Sequence, residues 1–219
     1  MEEVRKKLKI EIRNDSVFIS GYVNVVERDS RVLSSPTGKF IEQVKPKVFQ
    51  RALEATNNVD LLFNHKTNRK LGSTSEGNLK LWEDNIGLRA ECTVNDPEVI
   101  EKAKNKELMG WSFAFSVLPN GDKWEDGKDG IKRRYLEGIV LPEVSILSVT
   151  PAYIATSIES RGEDNVLTEY RYIDEDIDIQ DGSTTENNHE DEHREQSSVV
   201  DYSIQEQEIE IIKLRHQNY

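Results

Sequence analysis

The chain of 219 residues is long enough for one domain with a substantial core, although its hydrophobic fraction of 36% is low for a fully globular protein. Residues 1–162 carry 25 basic and 24 acidic side chains, whereas residues 163–219 carry 4 and 17, so the net charge of −12 arises in the last quarter. A body without a basic surplus is not expected to bind nucleic acid, and no stretch approaches the ~18 apolar residues of a membrane-spanning helix.

Hydrophobic alternation in the first three quarters of the chain indicates strands, and only two segments have helical periodicity. In chain order we predict strands over 8–13 and 16–26, a helix over 48–55, strands over 59–63, 78–82 and 87–94, a helix over 97–108, and strands over 109–117, 131–140 and 144–150. The second helix has the clearest start, with Asp96 as N-cap and Pro97 at its first position. The expected fold class is mainly β with a few helices (α+β), as an antiparallel barrel or sandwich.

The acidic segment that follows has too few apolar residues to offset the entropy of ordering the chain. We therefore predict a folded domain over 1–162 and a disordered acidic linker over 163–200. Isoleucine and leucine return after that, so residues 201–219 can form a short amphipathic helix that would order only against a partner.

A single cysteine, Cys92, excludes an intrachain disulfide and favours a reducing compartment. It lies in an alternating strand pattern, where a small structural residue is a simpler interpretation than a nucleophile. The charged N-terminus carries no apolar signal region. These features predict a soluble intracellular protein.

His65 is the only histidine in the predicted domain, and it directly follows the apolar strand predicted over 59–63. A half-exposed loop histidine is the simpler interpretation of a lone imidazole. Its place at the end of a rigid strand favours a functional role, because such positions hold catalytic groups well. An imidazole side chain can in general act as a base near pH 7, because its ordinary pKa already lies close to that pH.

Ser112 lies between Trp111 and Phe113 in the strand predicted over 109–117. Alternation turns its hydroxyl to the face opposite the two rings, which would anchor the strand in the core. That hydroxyl faces either a cleft or solvent. Ser116 faces the same side and is the nearest competing hydroxyl.

Glu143 follows a proline and precedes an apolar run, where a carboxylate must be solvated, paired or protonated. Pairing with His65 would satisfy it and set the tautomer of the ring, and an exposed acid at a strand start is the alternative. A hydroxyl, a base and an acid make an activated serine nucleophile in any chain order. Ser112, His65 and Glu143 together therefore predict a serine hydrolase.

No cofactor or metal is expected. The predicted domain has one histidine and one cysteine, which is too few for an ordinary zinc site. The acidic tail lacks the spacing of a calcium-binding EF-hand loop, and no glycine-rich phosphate loop occurs.

Roughly residues 15–161 resemble the tailed-phage prohead maturation serine proteases of HK97-type capsids. No single phrase is specific, whereas the ordered set is fairly specific. The phrases are Ile19-Ser20-Gly21-Tyr22, Phe40-Ile41-Glu42-Gln43-Val44 with Val48-Phe49, Leu61-Leu62-Phe63-Asn64-His65, Leu71-Gly72, Asn85-Ile86-Gly87-Leu88, Gly110-Trp111-Ser112-Phe113-Ala114-Phe115, Leu141-Pro142-Glu143-Val144-Ser145 and Pro151-Ala152-Tyr153.

The resemblance implies a serine endopeptidase on a closed or partly open barrel of the herpesvirus-protease type, with a homodimer as one state. Such enzymes work inside the procapsid in the host cytoplasm. They cleave the scaffolding segment of the major capsid protein and commonly themselves. Carried over by position, His65 matches the base, Ser112 the nucleophile and Glu143 the acidic third member. The resemblance does not identify the oxyanion donors, and Arg133 and Arg134 are candidates only because they lie near the strand of Glu143 in sequence.

Two other functions are compatible with the residues. The first is a catalytically silent scaffolding protein on a protease fold, which the acidic tail favours and the intact set of three residues disfavours. The second is an unrelated serine esterase or amidase, although the Gly-x-Ser-x-Gly elbow of the common type is absent. The tail itself resembles an arm that would dock the protein to capsid or scaffold subunits.

Overall fold

The computed structural model describes residues 7–35, 37–148, 158–160, 167–172 and 176–182. These residues form fifteen strands and two helices. The strands are β1 Lys7–Ile12, β2 Val17–Val25, β3 Leu33–Ser35, β4 Gly38–Val44, β5 Asp60–Phe63, β6 Lys66–Ser73, β7 Leu79–Glu83, β8 Gly87–Val94, β9 Gly110–Val117, β10 Asp122–Glu125, β11 Lys132–Leu136, β12 Ile139–Leu147, β13 Ile158–Ser160, β14 Leu167–Tyr172 and β15 Asp176–Asp181. The helices are α1 Val48–Glu54 and α2 Pro97–Lys104.

The strands are arranged in three sheets. Their orders are β15-β1-β2-β8-β7, β10-β11-β4-β3 and β13-β14-β9-β12-β5-β6. Most neighbours are antiparallel, but β1 with β15, β4 with β11 and β5 with β12 are parallel. The predicted class, mainly β with two helices, is confirmed.

The closed antiparallel barrel is wrong for the described residues, because each sheet ends in two edge strands that pair with no other sheet there. Parallel pairs also require long crossover connections, which a simple antiparallel meander does not have. The described sheets therefore correspond to the partly open alternative.

Alternation along β8 shows how these strands build the core. Leu88, Ala90, Cys92 and Val94 are buried, and the residues between them are partly exposed. Burial raises the pKa of the Cys92 thiol, so the sulfur stays protonated near neutral pH. Cys92 thus packs as a small apolar residue, in agreement with its structural interpretation.

The helix α1 packs on β12 and β7 and touches β9 through one aromatic pair. Its residue Phe49 is fully buried and meets the ring of Phe113 edge to face, with centroids 5.4 Å apart. The carboxylate of Glu83 on β7 caps this helix, accepting from the backbone N–H groups of Lys47 at 2.5 Å and Gln50 at 2.7 Å. A distant acid therefore replaces the local N-cap that the sequence lacks.

The helix α2 begins as predicted and ends earlier than predicted. Asp96 accepts from the Val99 N–H at 3.1 Å and Pro97 is the first helical residue. The helix ends at Lys104 because Lys106 has a left-handed φ of 59°, which stops helical hydrogen bonding. Neither helix in the described part of the chain is long and apolar enough to cross a membrane.

The strand β12 runs from Ile139 through Pro142 to Leu147, whereas we predicted separate strands over 131–140 and 144–150. Most of the first predicted strand corresponds to β11, Lys132–Leu136. The register of β12 against β9 shifts between Val140 and Glu143, which is a β-bulge. A bulge accommodates the proline, whose nitrogen cannot donate to the ladder, and it re-aims the side chain that follows. Pro142 therefore interrupts the pairing without ending the strand.

Two strands, β14 and β15, lie inside the segment predicted as a disordered acidic linker, so that prediction is corrected for these residues. β15 adds a parallel edge strand to β1, and β14 pairs antiparallel with β9. Charged side chains of β14 are buried in ion pairs with the sheets, an interaction that composition alone does not reveal. The rest of the predicted linker and the predicted terminal helix lie outside the described residues.

Candidate active site

The three candidate residues meet on neighbouring strands of the six-stranded sheet. Ser112 is on β9, Glu143 is on β12, and His65 lies in the turn that follows β5. Because β12 lies between β9 and β5, the strand of Ser112 and the strand before His65 flank the strand that carries Glu143. The register places Ser145 of β12 opposite Ser112.

A tight turn between β5 and β6 positions His65. Phe63 pairs with Lys66, so the turn contains only Asn64 and His65, and both have left-handed φ values of 53° and 57°. Two consecutive residues with positive φ are typical of a type I′ hairpin turn. Asn64 also donates its backbone N–H to the carbonyl of Ile146 at 2.9 Å, which ties the turn to β12.

The side chains form one continuous chain of short contacts. His65 Nδ1 lies 2.6 Å from Glu143 Oε1, and His65 Nε2 lies 2.7 Å from Ser112 Oγ. Ser112 and Glu143 are buried, with exposures of 2% and 7%, and the imidazole is half-buried. The structure therefore brings together all three residues that the sequence singled out.

Ser145 is a fourth member, which the sequence analysis included only in the phrase Leu141-Pro142-Glu143-Val144-Ser145. It accepts from the His65 backbone N–H at 3.1 Å and donates to Glu143 Oε2 at 2.8 Å. This residue is fully buried. Its signal was the Glu143-Val144-Ser145 spacing, since residues two apart on a strand share one face.

The arrangement has the polarity needed to activate a hydroxyl. A carboxylate at Nδ1 accepts a hydrogen bond from the N–H of that nitrogen, which leaves the lone pair of Nε2 facing the Ser112 hydroxyl. The ring can take the hydroxyl proton, and Glu143 stabilises the imidazolium that results. A serine hydroxyl activated in this way can attack a carbonyl carbon.

The strand β14 covers the serine. Ser112 Oγ donates to the backbone carbonyl of Arg171 at 2.7 Å, and the ring of Tyr170 packs edge to face on His65 with centroids 4.5 Å apart. Neither residue was predicted to be near the site, because both lie in the acidic segment, whose local composition indicates disorder.

A buried ion-pair network lies beside this strand. Arg171 donates to both carboxylate oxygens of Glu42, from Nε at 2.7 Å and from Nη2 at 2.8 Å. Glu169 accepts from Arg134 Nη1 and from Arg171 Nη2, both at 2.7 Å. Burial would raise the pKa of Glu169, but these guanidinium groups outweigh it and hold the pKa below its usual value.

The arginines proposed as oxyanion donors are engaged elsewhere. Arg134 donates Nε to Asp122 at 2.7 Å and Nη1 to the two acids of the buried network. Arg133 donates to Asp129 and to the carbonyl of Ile131. Proximity in sequence to the strand of Glu143 was therefore a poor guide, because Arg134 pairs with acids of β4, β10 and β14, and Arg133 pairs within a loop. Among the described residues, no group of three His, Cys, Asp or Glu side chains is arranged to hold a metal.

Comparison with known families adds one finding. The sequence model of a family described as caudovirus prohead serine protease matches residues 4–169. The matched range contains His65, Ser112, Glu143 and Ser145. The comparisons with curated proteins and with solved structures found no match.

Proposed function

The chain belongs to the caudovirus prohead serine protease family, and from that premise we propose that it is a procapsid maturation endopeptidase with Ser112 as nucleophile, His65 as general base and Glu143 as the acid that orients the base. Membership supports a serine peptidase, a hydrolase, at the level of the family. The assignment of roles to residues is our own inference.

One observation carries the assignment. The chain of contacts from Ser112 Oγ to His65 Nε2, and from His65 Nδ1 to Glu143 Oε1, has separations of 2.7 Å and 2.6 Å. Nucleophile, base and orienting acid stand within hydrogen-bond distance in the order that proton transfer requires. Ser116, the competing hydroxyl, pairs with Val140 further along β9.

The mechanism follows from these positions. His65 takes the Ser112 proton as Oγ attacks the scissile carbonyl carbon, and the imidazolium then gives this proton to the leaving amine. The peptide C–N bond breaks and an ester with Ser112 remains. Water, deprotonated by the same ring, hydrolyses the ester and restores the serine.

The proposed substrate is the scaffolding segment of the major capsid protein, together with the protease itself. The proposed place of action is the procapsid during assembly in the host cytoplasm. Both proposals rest on family membership.

An incubation with the cognate capsid precursor tests the proposal. Full-length wild type, Ser112→Ala and the matched control Ser116→Ala are compared, and the products are measured by intact mass. We expect fragments from wild type and from Ser116→Ala and none from Ser112→Ala. Fragments that are identical in all three samples would exclude Ser112 as the nucleophile.

One observation favours the catalytically silent scaffolding protein. Ser112 is only 2% exposed because β14 covers it, and a covered hydroxyl cannot meet a substrate until that strand moves. Wild type that leaves the precursor intact even after assembly into procapsids would support this second function.

A further inference from the structure

The strand β14 places a peptide carbonyl on the candidate nucleophile. It runs antiparallel to β9, with Arg171 opposite Phe113 and Tyr172 opposite Ser112. The Arg171 carbonyl accepts from Ser112 Oγ at 2.7 Å. A peptide carbonyl is the group that a serine peptidase attacks, and strand addition to a sheet edge is a common way to bind an extended peptide.

The side chain of Arg171 fills a pocket suited to a guanidinium group. Both oxygens of Glu42 accept from it, and the Phe115 ring lies 5.0 Å from its central carbon. Glu42 is 4% exposed, on the buried face of β4 between Phe40 and Val44. A paired carboxylate with an aromatic wall recognises arginine through two hydrogen bonds and a cation–π contact.

A second side chain of β14, the acidic Glu169, is bound by a basic partner, Arg134. Glu169 lies two residues before Arg171, so both side chains leave the strand on one face. Its partner Arg134 is itself buried and is held from behind by Asp122. The sheets thus present an acceptor for a basic residue and a donor for an acidic residue at alternate positions.

We infer that the edge of β9 beside Ser112 is the substrate-binding edge of the enzyme, that it takes an extended peptide of the pattern acid-x-arginine, and that residues 169–171 occupy it in cis. This inference rests on the proposed function. In a bound substrate the arginine carbonyl meets Ser112, and the bond cleaved is the one that follows the arginine. Ser112 Oγ bonds to that carbonyl carbon, the C–N bond breaks, and the Ser112 proton leaves on the new amine through His65.

In the structure β14 occupies the proposed binding edge in an unreactive arrangement. A hydroxyl has one hydrogen, and Ser112 Oγ lies 2.7 Å from both the Arg171 carbonyl oxygen and His65 Nε2, so the carbonyl competes with the base for this hydrogen. Transfer to the base requires the hydroxyl to turn and the carbonyl carbon to approach Oγ. A substrate in trans must therefore displace β14 and reuse the contacts with Glu42 and Arg134.

Matched peptides test the substrate pattern directly. Internally quenched peptides containing Glu-Tyr-Arg-Tyr, Glu-Tyr-Gln-Tyr or Gln-Tyr-Arg-Tyr are offered to the full-length wild-type chain, and kcat/KM is measured. Replacing the arginine removes the two-pronged partner of the buried Glu42 and leaves it only the 3.2 Å contact with Arg134, so we expect a loss of at least ~100-fold. Replacing the acid leaves Arg134 its other carboxylates, so we expect a loss of about tenfold.

The enzyme-side variant is Glu42→Gln, with the exposed Glu125→Gln as the matched control. We expect Glu42→Gln to cut the arginine and glutamine peptides at similar rates and Glu125→Gln to keep the preference. If Glu42→Gln does not fold, the comparison of peptides on wild type still decides the question.

The capsid precursor, offered in parallel with Ser112→Ala as the blank, separates the two possible failures. Precursor cleavage that depends on Ser112, together with arginine and glutamine peptides that are cut equally or not at all, overturns the substrate pattern and leaves the proposed function standing. Cleavage of neither precursor nor peptides overturns both.

Displacement of β14 by a peptide can be measured separately from cleavage in the inactive Ser112→Ala variant. Hydrogen exchange of residues 167–172 in full-length Ser112→Ala is measured with and without saturating Glu-Tyr-Arg-Tyr peptide. We expect faster exchange with this peptide and no change with the glutamine peptide. Exchange that is unchanged by both peptides overturns the inference.

Discussion

At the scale of single residues, Ser145 holds together the two parts of the candidate site that come from distant segments. Its hydroxyl accepts from the His65 backbone N–H and donates to the Glu143 carboxylate, and Ser145 itself is fully buried. We therefore regard Ser145 as a positioning residue that acts through the imidazole and the carboxylate.

Ser145→Ala should lower kcat about 10- to 100-fold with little change in KM, since one unsatisfied buried group costs roughly 1–3 kcal/mol. Steady-state kinetics on a cleavable peptide or on the capsid precursor measure this effect. Ser116→Ala is the control on the neighbouring strand. Equal losses in both variants would mean that Ser145 has no special role.

Glu143→Gln tests the orienting acid separately from the nucleophile. An amide can donate to His65 Nδ1 and so favour the wrong tautomer, for which we expect a loss in kcat of about 10³- to 10⁴-fold. Thermal unfolding should be compared with wild type to show that the variant is folded. A folded variant that retains more than a tenth of wild-type kcat would assign the third role to another group.

At the scale of secondary-structure elements, the hairpin β5–β6 and the strand β14 are the two elements that decide the state of the site. The hairpin holds His65 with two left-handed residues in succession, a conformation that asparagine adopts more readily than most residues. β14 decides whether Ser112 is covered.

Asn64→Ala should destabilise the hairpin. The variant loses the bond in which Asn64 Oδ1 accepts from the Ser148 N–H at 2.8 Å, and alanine is strained at φ 53°. We expect a decrease of about 2 kcal/mol in the free energy of unfolding, measured by urea denaturation. Asn68→Ala, on the exposed part of β6, is the control and should change stability little.

Lowering the pH should detach β14 from β9 before the rest of the sheet unfolds. Because the pKa of Glu169 is lower in the folded chain than in an unfolded one, its contribution is present above about pH 4.3 and is lost as pH falls through its folded pKa. The charged groups that face it are Arg134 and Arg171, with Glu42 and Asp122 behind them.

Hydrogen exchange of residues 167–172 between pH 7 and pH 3, corrected for the intrinsic rate, measures this release. We expect protection of β14 to disappear while protection of β2 persists, and Glu169→Gln should weaken the pH dependence. Simultaneous loss of protection in both strands would show that global unfolding and not Glu169 controls β14.

At the scale of the whole molecule, the division between body and tail does not fall at residue 162. The strands β14 and β15 pair with β9 and β1, so a truncation at that point removes two partners of the sheets. The acidic arm proposed to dock on capsid or scaffold subunits has to be tested with a later boundary.

Two truncations separate folding from docking. A chain of residues 1–184 retains all described strands, whereas a chain of residues 1–162 exposes the edges of β1 and β9. We expect the melting temperature of 1–184 to stay close to that of the full chain and that of 1–162 to fall by at least ~4 °C. Unchanged incorporation of 1–184 into procapsids would refute docking through residues 185–219.

The sequence by itself determined the local features of this protein, because strand alternation, helix capping and side-chain chemistry depend on neighbours in the chain. It predicted the mainly β class, the start of α2 at Pro97, and the three side chains that the structure places in contact.

Only the tertiary structure decided which distant segments meet. Sheet order places Glu143 between Ser112 and His65, and an ion pair that spans 129 residues brings Arg171 to Glu42. The acidic composition around β14 predicted disorder, because the burial of its charges becomes favourable only when oppositely charged groups from other strands surround them. Ion pairs between residues that are distant in sequence leave no pattern in the local sequence. The covering of Ser112 by β14 was therefore not predictable from the sequence.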